Sequence, residues 1–171
     1  MPDEIELPAI FAESGAACRQ VVLAEMAANL RHYYERSGDA LDPVTRDVIE
    51  RGRRIAAADY PAARNWRDAL HSGLGEIFDR YDAIVVPAAK GQAPKEAEFD
   101  DPGGINALWV LTGLPCVTLP LLEGADGLPV GVQMIGQRYF DGRLLRTARW
   151  LANHVAGSAE AGVQYPRRHV V

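Results

Sequence analysis

Apolar positions in the first half of the chain recur at helical spacing. Leu23, Ala27, Leu30 and Tyr34 step by four, three and four residues and so share one stripe, while Glu25, Arg31 and Glu35 can face water. The spacing predicts a helix over 14–36 that stops at Gly38-Asp39. Asp42-Pro43 opens a second helix. An aspartate there offers an acceptor to the first free N–H groups, and proline in the first turn loses only an N–H that would have no helical partner. This helical region runs to about Asp59. A third helix begins at Pro61, carries Trp66, Leu70, Gly73 and Ile77 at the same step with Ala69, Leu74 and Phe78 beside them, and ends near Arg80.

The second half changes period. Ala83-Ile84-Val85-Val86-Pro87 is a short continuous apolar run, as expected of a buried strand. Residues 88–104 hold Gly91, Pro94, Pro102, Gly103 and Gly104 and read as a loop. A short helix at about 105–112 is followed by Gly113-Leu114-Pro115, a helix stop because glycine tolerates a left-handed conformation and proline cannot continue the helix. Two strands, Cys116 to Leu122 and Pro129 to Gly136, are joined by the turn-rich Glu123-Gly124-Ala125-Asp126-Gly127, which predicts an antiparallel hairpin. A last helix over about Asp141 to Val155 lines up Leu144, Ala148, Leu151 and Val155, with Leu145 and Ala152 beside them. The expected architecture is α/β, with helices packed on a small mixed sheet of about three strands. Strand 83–87 and strand 116–122 could be parallel neighbours through a right-handed crossover, and a sheet this thin leaves an edge in need of a partner. A single domain over 1–158 is expected, helical over 5–80 and strand/helix over 81–156, with 159–171 a flexible tail.

Composition narrows the function classes. A net charge of −5 argues against nucleic acid, and the Arg167-Arg168 pair reads as solvated tail. Cys18 and Cys116 lie far apart, with no CxxC or Cys/His cluster, so neither a metal site nor a disulfide framework is expected, and no cofactor is implied. The acidic opening Met1-Pro2-Asp3-Glu4-Ile5 has no apolar run, and no stretch reaches membrane-span length. The expectation is a cytoplasmic protein without a membrane partner.

Four segments carry a family resemblance. They are Tyr81-Asp82-Ala83-Ile84-Val85-Val86-Pro87; Thr112-Gly113-Leu114-Pro115-Cys116-Val117-Thr118-Leu119-Pro120; Gly127-Leu128-Pro129-Val130-Gly131-Val132-Gln133-Met134-Ile135-Gly136; and Asp141 followed by Leu144-Leu145. In this order and at this compact spacing they resemble the C-terminal segment of the amidase-signature family, with Glu6-Leu7-Pro8, the helix around Glu25, Gly52 and Asp59-Tyr60 agreeing more loosely. The likeness runs over about residues 5–155, roughly the last third of a typical member. It implies a partial amidase-type fold and, for a whole enzyme, hydrolysis of carbon–nitrogen amide bonds. Read without the family, Gly131 marks a close backbone approach, and a buried Gln133 would need hydrogen-bond partners.

The resemblance also implies a Ser–Ser–Lys catalytic set, since a hydroxyl needs a base within hydrogen-bond reach and the tetrahedral intermediate needs preorganised donors. The chain has four serines, Ser14, Ser37, Ser72 and Ser158, none adjacent to another, and no G-x-S-x-G turn. Its two lysines, Lys90 and Lys95, read as solvated loop charges, and a solvated ammonium is a poor base. His32, His71, His154 and His169 are scattered, and His71 beside Ser72 carries no weight because helical neighbours point apart. No catalytic residue is assigned. The resemblance places the short helix on the substrate's acyl side, which makes Asn106, Trp109 and Thr112, spaced by three, candidate pocket lining for a largely apolar amide with one polar group. A core role for Trp109 stands beside that reading. The chain alone is expected to be inactive, taking a small-molecule amide only if the missing N-terminal part completes it. The alternative is a non-catalytic assembly or partner-binding module derived from an amidase. In either case apolar surface left open should favour a homo-oligomer or a partner chain.

Overall fold

Asp42 does what its position before Pro43 predicts: its carboxylate accepts from the Thr45 N–H at 2.9 Å and closes the start of a helix, Pro43–Arg53. In the computed structural model, which describes residues 3–7, 9–95 and 106–159, this is α3. Before it come a 3₁₀ turn at Ala9–Glu13, α1 (Ser14–Asn29), α2 (Arg31–Ser37) and a second 3₁₀ turn at Gly38–Ala40. The expected helix over 14–36 is thus two helices. Leu30, at φ −93° and ψ 2°, breaks it about two turns before the predicted stop at Gly38.

After α3 the chain forms α4 (Asp59–Phe78), β1 (Ile84–Pro87), α5 (Ala107–Thr112), β2 (Cys116–Glu123), β3 (Pro129–Ile135) and α6 (Asp141–Ala159). The buried stripe of α4 is Ala63, Leu70, Leu74 and Phe78, with Trp66 and Ile77 at its margin, so the expected face is rotated by about one position. The last helix continues past Gly157 to Ala159. Most of the expected 88–104 loop, and the tail from residue 160, lie outside the described residues.

The described residues form two compact units. One holds the chain up to Gly73 together with Val110–Thr112; the other holds Leu74–Trp109 and the chain from Gly113 onward. In the first, α1 and α3 pack closely enough that Gly52 of α3 touches the backbone of Leu23 and the methyl of Ala27. Phe11 lies against α4 at Gly73.

The second unit contains the sheet, whose strand order is β1-β3-β2. β3 pairs antiparallel with both neighbours, Val86 and Thr118 each standing opposite Gln133. The expectation that β1 and β2 are parallel neighbours in a mixed sheet is corrected: they run the same way, but β3 lies between them and every pairing is antiparallel. Proline explains the order. A central strand donates on both sides, and only β3 is free of proline beyond its first residue, whereas Pro87 and Pro120 sit in the outer strands. The β2–β3 register shifts between Leu119 and Leu122, where Pro120 has no N–H to give. The predicted hairpin is present, with Gly127 at φ 74° in its turn. On one sheet face Met134 meets Leu144 and Ala148 of α6, flanked by Val117, Leu119 and Leu151. The other face carries Ile84 and Ile135, both buried, with Gln133 and Thr118 between the strands.

Candidate functional site

Six residues of α5 lie between two anchors. At its start Asn106 has helical dihedrals, φ −88° and ψ −8°, and does not cap the helix with its side chain. Instead its Nδ2 donates to the Ala88 carbonyl at 3.0 Å, fastening the start of α5 to the end of β1. At its finish Gly113 adopts φ 62°, ψ 33°, and its N–H returns to the Trp109 carbonyl at 2.9 Å, the left-handed cap that the Gly-Leu-Pro sequence predicts.

The final carbonyls of α5 receive two side chains from α4 that the sequence reading passed over. Arg67 Nε donates to Leu111 O at 2.8 Å, and His71 Nε2 lies 2.7 Å from Thr112 O. Since a carbonyl oxygen only accepts, Nε2 of His71 carries the proton and donates it. Both groups suit the negative end of a helix. Their signal was present in the sequence: Arg67 and His71 are four apart on one face of a helix, a spacing that aims two side chains at one neighbour. His71 is therefore engaged as a donor through the nitrogen that reaches α5.

The three candidate lining residues come out unequal. Asn106 is half-buried, while Trp109 is 5% exposed and Thr112 only 1%. The outward residue of α5 is Val110, 55% exposed. Asn106 Oδ1 and Gln133 Oε1 are closed off from solvent with no hydrogen-bond donor among the described residues. Gly131, two residues before Gln133, stands where a Cβ would come within 2.7 Å of the Thr118 methyl and 2.9 Å of Ala88 Cβ, which accounts for a glycine inside this strand.

The nucleophile inventory is thin here too. Ser14 is buried on α1, and Ser37 and Ser72 are exposed on α2 and α4. Burial pushes the Cys18 thiol up, partly offset by a backbone hydrogen bond at Leu111, and burial likewise raises Cys116. A raised thiol pKa means less thiolate at neutral pH and a weaker nucleophile. Among the described residues there is no cluster of three or more His, Cys, Asp or Glu that could hold a metal ion, and no helix long and apolar enough to cross a membrane. Each part of α5 is thus tied within its own unit, Asn106 to Ala88 in one and the carbonyls of Leu111 and Thr112 to Arg67 and His71 in the other.

The α5 helix falls inside a wider match. The family model described as Amidase covers residues 4–145, from before α1 to the start of α6. The chain belongs to the amidase family. A Mycobacterium tuberculosis protein that bears the name amidase is 30% identical over 140 residues, taking in 74% of this chain and 29% of its own length. One component of the Thermotoga maritima glutamyl-tRNA(Gln) amidotransferase is 35% identical over 105 residues, 56% of this chain and 22% of that protein. Among solved structures, an amidase crystal structure aligns with 88% of this chain and 37% of its own at a TM-score of 0.73 and 22% identity. At that identity the structural likeness establishes the fold. The chain spans between 22% and 37% of the length of these three proteins.

Proposed function

We propose that this chain is the C-terminal, pocket-wall segment of an amidase, and that it takes part in hydrolysis of a carbon–nitrogen amide bond only together with a chain that carries the nucleophile. One observation supports this above the rest. The family match extends over residues 4–145, yet the sequence holds no paired serines, and its two lysines fall in one Gly/Pro-rich stretch. In this reading the half-buried Asn106 borders the acyl side of a small, largely apolar amide, the buried Trp109 and Thr112 shape that lining from behind, and no side chain of this chain attacks the substrate.

The test is a panel of aryl and aliphatic amides, offered to the chain alone and to the chain co-expressed with the N-terminal two thirds of an amidase relative. The reading expects no turnover alone and turnover on completion. Turnover by the chain alone, abolished by a single substitution within it, refutes the proposal.

A second reading, a non-catalytic assembly module that retains the fold, is favoured by apolar side chains at the sheet's outer strands: Val85 on β1 and Leu122 on β2 are both exposed. Outer strands with exposed apolar residues favour association. This reading expects a homo-oligomer or a complex with a partner chain.

A further inference from the structure

The outer surface of α6 and the turn before it differ in character from the rest of the chain. Residues 138–154 carry Arg138, Arg143, Arg146 and Arg149 against Asp141 alone, in a protein whose net charge is −5. On α6 the sheet-facing side is Leu144 and Ala148, and the outer side presents Leu145 (59% exposed), Arg146, Arg149 and Trp150 (62% exposed). Trp150 stacks on His154 with ring centroids 5.4 Å apart and planes 10° from parallel. In the preceding turn Tyr139 has φ 67°, a conformation that costs a tyrosine energy, and holds its ring 80% exposed with the Arg138 guanidinium 4.7 Å above it. Arg143 lies 5.3 Å over the exposed ring of Phe140.

Exposed Trp, Tyr and Arg, with no lysine among them, are the residue types that dominate binding energy at protein interfaces. The counterpart has to supply carboxylates and some apolar surface.

The second unit itself presents such a surface. At the tip of the β2–β3 hairpin, Leu122 and Leu128 are exposed on either side of a turn that carries Glu123 and Asp126, both exposed. We propose that the hairpin tip of one copy of this chain docks on the outer face of α6 of a second copy, setting Leu122 and Leu128 against Leu145 and Trp150 and the Glu123 carboxylate against Arg146 and Arg149. Two copies exchanging the same pair of surfaces close into a two-fold dimer and leave neither surface open. This rests on the assembly reading above and adds the surface and its occupant.

Sedimentation of the full chain from low to high micromolar concentration tests it. A dimer is expected, and Arg146→Glu with Arg149→Glu should weaken it by about tenfold or more, as loss of close charge pairs does. Glu123→Arg should weaken it similarly; Asp126 is left alone because its N–H and carboxylate are engaged with Gln92. Mixing the two variants should restore a heterodimer, since reversed charges then face each other. Matching unfolding curves exclude misfolding as the cause. A monomer throughout overturns this proposal and the homo-oligomer reading together. A dimer that ignores both charge reversals, or variants that fail to recover when mixed, overturns the surface assignment while the assembly reading stands.

Discussion

Replacing Gly52 with alanine should destabilise the first unit even though alanine is the better helix former. In α3 the substitution gains about 1 kcal/mol of intrinsic propensity. Against this, the new Cβ would lie 2.0 Å from the Leu23 carbonyl oxygen, 2.7 Å from its carbon and 2.8 Å from Ala27 Cβ. The first two are backbone atoms of α1, so no rotamer change relieves the clash, and the helices must part by about 1 Å or more to restore ordinary contact in a close-packed interior. Overpacking of this kind costs about 3 kcal/mol at the upper end of its usual range, for a net loss of about 2 kcal/mol. Urea unfolding followed by far-ultraviolet circular dichroism should show a lower midpoint at an unchanged slope. Gly75→Ala in α4 is the control: nothing lies within 4 Å of its Cβ position, so only the propensity gain remains and stability should rise. If Gly52→Ala matches the wild type or exceeds it, the close crossing of α1 and α3 is wrong.

Three further outcomes follow from single residues. Gln133→Met should be neutral, or stabilising by up to about 1–3 kcal/mol in urea unfolding, because it removes a buried Oε1 that meets no donor among the described residues; a clear loss would reveal a donor. Hydrogen bonds from the Thr45 side chain and N–H hold the Asp42 carboxyl below the usual aspartate range. Stability contributed by a depressed carboxyl is present above its unfolded pKa and is lost as pH falls through the folded one, so Asp42→Asn should flatten the acid limb of a stability–pH curve, and an unchanged limb counts against the cap. Cys116 is exposed and Cys18 buried, so alkylation of the native chain at neutral pH should modify Cys116 slowly and leave Cys18 until unfolding; equal rates would contradict the burial of α1.

Period and punctuation made most of the elements legible. Asp42-Pro43, Gly113-Leu114-Pro115 and the 123–127 turn each act through local backbone chemistry, and each sits where that chemistry placed it. Strand order was harder. Hydrophobicity makes β1, β2 and β3 look alike, and the discriminating signal was the position of proline, which bars Pro87 and Pro120 from a strand that donates on both sides. The break at Leu30 left no such mark, because leucine is a good helix former and the amphipathic stripe continues through it. At the candidate site the sequence identified α5 and its spacing but not its depth. Periodicity puts Asn106, Trp109 and Thr112 on one face; only packing shows that Trp109 and Thr112 are nearly closed to solvent.

That depth bears on the role proposed for α5. A wall residue influences a substrate through shape and rigidity when its side chain is buried, and through direct contact when it is not. In the proposed reading the enclosed Trp109 and Thr112 act through shape; the hydrogen bonds beside them are Asn106 to the Ala88 carbonyl within one unit, and Arg67 to Leu111 and His71 to Thr112 within the other. A six-residue helix is too short to hold itself together in water, so these hydrogen bonds and the Gly113 cap are what support it. The residues that sequence reading favoured for contact thus depend on residues it passed over, because a side chain's reach to a distant carbonyl is a property of the folded chain and not of spacing along it.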